Sequence, residues 1–458
     1  MSQPNIIFIL CDDLGINDLA CYGRTEHHTP HLDRLAKQGI RFTSAYASQA
    51  ICSASRAGLL TGLNPARLHL TTFLPGRPDA TSQRVLHPEI TMNVPLSIKT
   101  FPRYFKEAGY TTGFIGKWHI GNNPGPAEHG FDYVYHPTDS KETIPSESEG
   151  GKAEYELTHE TLKFIEVNKD QPFVAYLGHY TPHIPYTARP DLIEKNKDAF
   201  EPTYAALIET LDTTIGLLEV KLEELHLADN TIIIFTSDNG GLHVPELEHD
   251  RITHNTPFRA GKGYTYEGGQ RVPLIVRWPG HIPQNQVIDA PVNNIDWIPT
   301  LLELAGAPAP DGLDGISFAK GLLGGNFPER TLFWHFPHYT NQGGRPSGTV
   351  RDGDWLLIER YDEDRVELYN LATDIHEHHD LSKEHPERTS SMREALDSWR
   401  KENNVQHNTS NPDCDEEKFR QLYVDLDPST FDPATADEEE WNRIHAWRTA
   451  MDAAVKRG

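Results

Sequence analysis

The chain has 458 residues, of which 37% are hydrophobic, and a formal charge of −25. That length suits a large domain plus a smaller one, and the composition is that of a globular chain rather than a disordered one. The acidic balance excludes nonspecific binding to nucleic acid or anionic membranes, and it requires a local cluster of cations wherever an anionic substrate is to bind.

Residues 5–10, "NIIFIL", form a β-branched apolar run bounded by Pro4 and "CDD". This reads as a buried parallel strand that delivers Asp12 and Asp13 at its carboxyl end. "HLDRLAKQG" (31–39) has helical spacing. Residues 51–62, "ICSASRAGLLTG", set Cys52 among small polar residues, ahead of Arg56 and an apolar helix-like run. Three readings of Cys52 stand open: a buried structural thiol, a thiolate nucleophile, or a cysteine that does not remain one. "SIKTFPRYFKEAG" (97–109) is a second helix, and "GKWHIG" puts Lys117 and His119 on one side of an extended segment. The polar stretch 134–156, with Gly and Pro, is predicted to be an exposed loop over the site. "PFVAYLGHY" (172–180) is a strand that ends on polar residues and supplies His179, with His183 shortly after. An amphipathic helix is predicted over 204–225, and "TIIIFTSDNGG" (231–241) is a third strand, ending in Asp238 and Asn239. Strands alternating with helices imply an α/β sandwich around a mostly parallel sheet, whose ligands lie at the carboxyl ends of the strands.

From about residue 330 apolar and polar residues alternate around "DGD" and "DED" turns, predicting a small antiparallel sheet followed by a helix over 383–404. The acid-rich tail, 405–458, reads as a solvated extension with one helix. The four cysteines form no CxxC pair, so neither a zinc knuckle nor a disulfide scaffold is indicated. No apolar run reaches about 18 residues, and the N-terminus lacks the basic start of a leader. The expectation is a soluble cytoplasmic chain, or a periplasmic or secreted one if a leader has been removed.

Asp12 and Asp13 could simply cap a helix. With Asp238 and Asn239 at a second strand end they better fit a hard divalent cation, Ca²⁺ or Mg²⁺, since no His/Cys set has zinc spacing. Arg259 and Lys262 lie in the Gly-rich stretch "FRAGKGYTYEGGQRVP" (258–273). Singly, each Lys, Arg or His is as readily a surface residue. Together Lys117, His119, His179, His183, Arg259 and Lys262 could surround a tetrahedral oxyanion.

"CSASRAGLLTG" resembles the signature of the type I, formylglycine-dependent sulfatases of the alkaline phosphatase superfamily. The resemblance also takes in "NIIFILCDDLG", "GYTTGFIGKWHIG", "TIIIFTSDNGG", "FRAGKGYTYEGGQRVPLIVRWPG" and "VELYNLATD", in order and to about residue 400. It implies an alkaline-phosphatase-like α/β/α sandwich around a mostly parallel mixed sheet, over 1–330. A smaller C-terminal α+β part with an antiparallel sheet would occupy 331–404, and an acidic extension 405–458. It further implies hydrolysis of sulfate esters on a small sulfated sugar or oligosaccharide. A maturation enzyme would oxidise Cys52 to formylglycine, whose hydrate attacks sulfur with one hydroxyl and releases sulfate through the other. By the same resemblance Asp12, Asp13, Asp238, Asn239 and modified Cys52 bind calcium, and Arg56 holds the diol. Lys117 and Lys262 neutralise the sulfate, and His119 removes the proton that expels it. His179, or Lys262 with it, protonates the leaving alcohol, while His183 and Arg259 contact the substrate. Ala54 and Ala260 depart from the commonest pattern, which has proline and glycine there. A phosphonate or phosphodiester hydrolase of the same superfamily is the alternative, and a sulfated-sugar binding protein with an unmodified Cys52 is a third reading.

Overall fold

A computed structural model describes residues 3–137, 151–247 and 249–455. Strand β1 (Asn5–Asp12) is buried along its whole length, because it lies inside a sheet with both faces covered. Ile6, Phe8 and Leu10 enter one core, while Ile7, Ile9 and Cys11 enter another. This is the two-residue period of a strand, and it explains why the segment reads as an unbroken apolar run.

The remaining strands of this sheet are β2 (Ile40–Phe42), β3 (Thr111–Gly116), β4 (Tyr133–Tyr135), β5 (Phe173–Pro182), β6 (Thr231–Ser237), β7 (Leu274–Arg277) and β8 (Gln286–Ile288). Their order across the sheet is β8-β2-β7-β6-β1-β5-β3-β4. Only β7 runs antiparallel to its neighbours; the other pairings are parallel. Helices α1 (Pro30–Lys37), α2 (Cys52–Thr61), α3 (Phe101–Glu107), α4 (Glu154–Asn168), α5 (Pro202–Glu224) and α6 (Trp297–Leu304) cover both faces. The Phe8 side packs on α2, α3 and α6, and the Ile7 side on α1, α4 and α5. The architecture is the expected α/β/α sandwich. Because β1, β5 and β6 are parallel, they bring Asp12, His183 and Asp238 to one edge of the sheet.

Four further strands, β9 (Thr331–Phe336), β10 (Ser347–Asp352), β11 (Trp355–Arg360) and β12 (Val366–Asn370), form an antiparallel sheet in sequence order. Helix α7 (Pro386–Glu402) lays Met392 and Leu396 on Val350, Leu357 and Leu368 of that sheet. Of the stretch 134–156, read as a loop, residues 138–150 lie outside the described residues. Its ends belong to β4 and α4.

The tail differs from its reading. Its described residues hold two α-helices, α8 (Glu416–Tyr423) and α9 (Glu438–Val455). Phe419, Leu422, Tyr423, Ile444, Trp447 and Met451 form an apolar cluster with Val244 and Tyr339 of the body. The acids face outward, and the apolar residues recur three and four apart on one stripe that average composition hides.

Burial drives several imidazoles far below their usual pKa: His179 and His335 to about 3, and His87, His243 and His254 to about 4. In the unfolded chain these groups titrate near 6.5. Between about pH 6.5 and 4 the unfolded state therefore binds protons that the fold excludes, and stability is lost as pH falls through that window. Thermal unfolding followed from about pH 7.5 down to 4.5 should show a steadily falling Tm, with more than one proton taken up per molecule unfolded. A flat Tm over that range would contradict the burial of these rings.

Candidate active site

Every residue of α2 is buried, which accounts for its run of small residues. At Gly58 even a Cβ would meet the Ser48 hydroxyl at 2.2 Å. Cys52 opens the helix and Arg56 stands four residues on, so both face the same way. Ligand atoms of Cys52, Asp12 and Asp238 lie within 4.8 Å of one another. Arg56 is completely enclosed: its Nε donates to Asp238 Oδ2 at 2.8 Å, one terminal nitrogen donates to the Lys117 carbonyl at 3.0 Å, and the other lies 3.8 Å from Asp12 Oδ1.

Two lysines complete the ring. Lys117 Nζ reaches Asp12 Oδ2 at 2.5 Å, and Lys262 Nζ reaches Asp13 Oδ2 at 2.6 Å. Lys117 can leave β3 there because Gly116 takes φ +105° with its Cα against the Gly178 carbonyl, where a Cβ would be 1.9 Å away. Asn239 Nδ2 donates to Asp13 Oδ1 at 2.8 Å. His183 Nε2 lies 3.5 Å from Asp13 Oδ2. Asp13, His119 and Ala260 all adopt left-handed backbone, with φ of 64°, 60° and 59°. Strain of this kind concentrates at functional sites.

Three buried carboxylates thus face three cations. Burial pushes the Asp238 carboxyl up to about 8 against the pull of Arg56, with the nearby Asp12 charge adding to the rise. For Asp12 burial acts in the same sense, but Lys117, His183 and Arg56 together hold its carboxyl well below the usual range. His119 is held at about 4 by burial and by Lys117, and His183 at about 4 by burial and by Lys262. Asp12 Oδ1 and Asn239 Oδ1 are buried oxygens without a hydrogen-bond donor among the described residues. Unpartnered oxygens beside a carboxyl that resists ionisation are the donor set a hard divalent cation needs, so the residues fit such an ion.

Two readings from the sequence need correction. His179 is fully buried, both ring nitrogens lack partners among the described residues, and burial lowers its pKa. The strand was read as ending at 180, whereas β5 continues to Pro182, which pairs with Asp12 across the sheet. His183 is therefore the histidine at the edge. Arg259 is not free for substrate: it donates to Tyr369, the Glu377 carbonyl and Ser429, and lies 4.0 Å over the Tyr266 ring. One residue escaped notice. Lys152 lies within the electrostatic reach of Asp12, Asp13, Lys117 and Glu154, and burial lowers its pKa. It precedes α4 in a stretch with no periodicity, so nothing in the sequence singled it out.

The sulfatase family model matches residues 4–307, and a model described as N-sulphoglucosamine sulphohydrolase, C-terminal, matches 260–402. The chain belongs to the sulfatase family. An N-acetylgalactosamine-6-O-sulfatase of Bacteroides thetaiotaomicron is 30% identical, over 86% of this chain and 93% of its own. The human N-acetylgalactosamine-6-sulfatase is 34% identical, over 72% of this chain and 68% of its own. Among solved structures, Ps i-CgsB in complex with k-i-k-neocarrahexaose superposes with a TM-score of 0.75 at 26% identity, covering 98% of this chain and 99% of the other. This sulfatase is accordingly a sulfuric ester hydrolase.

Removing one partner from a buried charge cluster leaves uncompensated charge. Arg56→Met should therefore destabilise the sulfatase by about 3–5 kcal/mol, read as a fall in the denaturation midpoint. Ca²⁺ or Mg²⁺ at about one hundred times its Kd should add about 2.7 kcal/mol to the wild type. A variant as stable as wild type, or a Tm that ignores both ions, would contradict this account of the cluster.

Proposed function

We propose that this sulfatase hydrolyses sulfate esters of sulfated sugars, with position 52 as nucleophile after oxidation of Cys52 to formylglycine. The observation that carries the reading is the Cys52 side chain within 4.8 Å of both Asp12 and Asp238, in a cluster of oxygen ligands and cations. A soft thiolate has little use for that company. The named activities of the relatives, and the sugar bound by Ps i-CgsB, support a carbohydrate substrate, with sulfated galactosamine units the first to try. A formylglycine-generating maturation enzyme is the implied partner.

Asp12, Asp13, Asp238, Asn239 and the oxygen at position 52 would hold a calcium or magnesium ion, which supplies Lewis-acid polarisation when bound. Oxidised at position 52, the side chain would supply, as its hydrate, one hydroxyl for attack on sulfur and a second for release of sulfate. Arg56 fixes the oxygen at 52 from its enclosed position behind the cluster. Lys117, on Asp12, and Lys262, on Asp13, neutralise the sulfate oxygens, whose charge grows in the transition state. His119 is neutral above about pH 4, so it can accept the proton whose loss releases sulfate. Lys262, kept protonated by Asp13, gives the proton to the leaving alcohol, and His183, beside it on Asp13, replaces His179 as the imidazole at that position. Residues 1–330 would carry this chemistry, with 331–404 and 405–458 as supporting units behind the Lys262 loop.

Lys262→Ala should lower Tm, because Asp13 is left unpaired, and should in addition lose about 2.7–4 kcal/mol of transition-state stabilisation, the usual cost of one oxyanion partner. Wild-type kcat with a lowered Tm would mark Lys262 as structural. The ratio of kcat/KM for a synthetic sulfate ester to that for a phosphodiester should favour the sulfate. The opposite preference would point to the phosphonate or phosphodiester reading.

A further inference from the structure

The sulfate-binding role of Lys262 depends on a short turn, 259–263, that is tied down on every side. Lys262 N donates to the Gly241 carbonyl at 3.0 Å and Gly263 N to the Ala50 carbonyl at 2.8 Å. Buried Asn255 bridges the Gly241 and Ala260 carbonyls through Nδ2, at 2.8 and 3.0 Å. Yet the turn contains a strained residue. Ala260 has φ +59°, a conformation that an L side chain disfavours, two residues before the lysine.

Arg259 stands next to that strained residue, and its guanidinium ties three parts of the chain together. One terminal nitrogen donates to Tyr369 Oη at 3.1 Å and the Glu377 carbonyl at 2.9 Å, at and beyond the end of the small sheet. The other donates to Ser429 Oγ at 2.8 Å and lies 3.4 Å from Asp427 Oδ2, both in the tail. The plane stacks on Tyr266, which belongs to the same Gly-rich stretch. Side chains near the turn hold the tail as well: His243 Nε2 donates to the Pro428 carbonyl at 3.0 Å, and Thr256 Oγ1 donates to Asp432 Oδ1 at 2.6 Å.

We propose that Arg259 is a positioning residue for Lys262, holding Ala260 in its left-handed backbone through a bridge from the Gly-rich turn to the small sheet and to Ser429 of the tail. The inference rests on the reading of Lys262 as a sulfate ligand. A residue in a disfavoured conformation stays there only while its surroundings over-determine it. With the bridge gone, Ala260 relaxes toward ordinary backbone and the ammonium leaves its aim. Glycine at 260 adopts φ +59° freely, so it makes the turn independent of the bridge. The acidic tail, by this account, serves catalysis without touching substrate.

The test is a double-mutant cycle in the full-length enzyme on a small aryl sulfate, reading kcat, KM and Tm. Arg259→Met should lower kcat about tenfold or more, while Ala260→Gly alone stays within about twofold of wild type. The double variant should recover kcat to within about threefold of wild type although its Tm stays low, which a merely structural role would not produce. Ser429→Ala, the milder change if Arg259→Met fails to fold, should lower kcat about threefold and be rescued by the same glycine. Unchanged kcat in both bridge variants, or additive losses without rescue, would overturn the proposal. Lys262→Ala in the same assay separates the two levels: if it keeps kcat, the reading of Lys262 itself fails. If it loses kcat while Arg259→Met does not, only the bridge fails.

Discussion

Three carboxylates at one sheet edge, inside a protein, repel one another and resist ionisation. Asp12, Asp13 and Asp238 arrive there because β1 and β6 are adjacent parallel strands. Everything nearby answers that repulsion. Arg56 is wholly buried against Asp238, which in turn requires α2 to be enclosed and built of small residues. Lys117 and Lys262 pair with Asp12 and Asp13, which requires the glycine at the end of β3 and the tight turn after Arg259. A chain of formal charge −25 thereby builds, at this edge, a place where cations match carboxylates, as binding of a divalent ion and an anionic ester would require.

The supports of the site come from far along the chain. The backbone of Lys262 is held by the Gly241 carbonyl and that of Gly263 by the Ala50 carbonyl, and Arg259, at the start of the turn, donates to Ser429. Arg259 in turn depends on the small sheet and the tail. Arg259 is one of several links between the C-terminal third and the Gly-rich stretch, alongside Arg360 and Glu367 on Tyr266 and Glu377 on the Glu267 backbone. That coupling gives a physical reason for an acidic extension whose inner stripe is apolar and whose outer face is solvated.

Much of this was legible in the sequence, for stated reasons. Buried parallel strands are unbroken apolar runs, so β1 and β6 and the acids at their ends stood out, as did Cys52 and Arg56 one helical turn apart. What failed turned on quantities the sequence does not encode locally. The strand β5 passes through Pro182, and two extra residues shift the edge histidine from His179 to His183. Arg259 looked like a ligand-facing cation because its partners, Tyr369, Glu377 and Ser429, are more than a hundred residues away. The tail looked solvated because acids dominate its average, while Ile444, Trp447 and Met451 define one face of α9. Lys152 carries no pattern at all; only the three-dimensional field of Asp12 and Asp13 reveals it.

The central claim is that the cluster serves an oxygen nucleophile derived from Cys52 rather than a thiol. The most direct measurement is the mass of the tryptic peptide spanning residues 42–56, taken on enzyme whose turnover of a sulfate ester has been titrated across preparations. The account predicts the aldehyde or its hydrate at position 52, in a fraction that tracks kcat. Full turnover by enzyme whose peptide carries an intact thiol would contradict it.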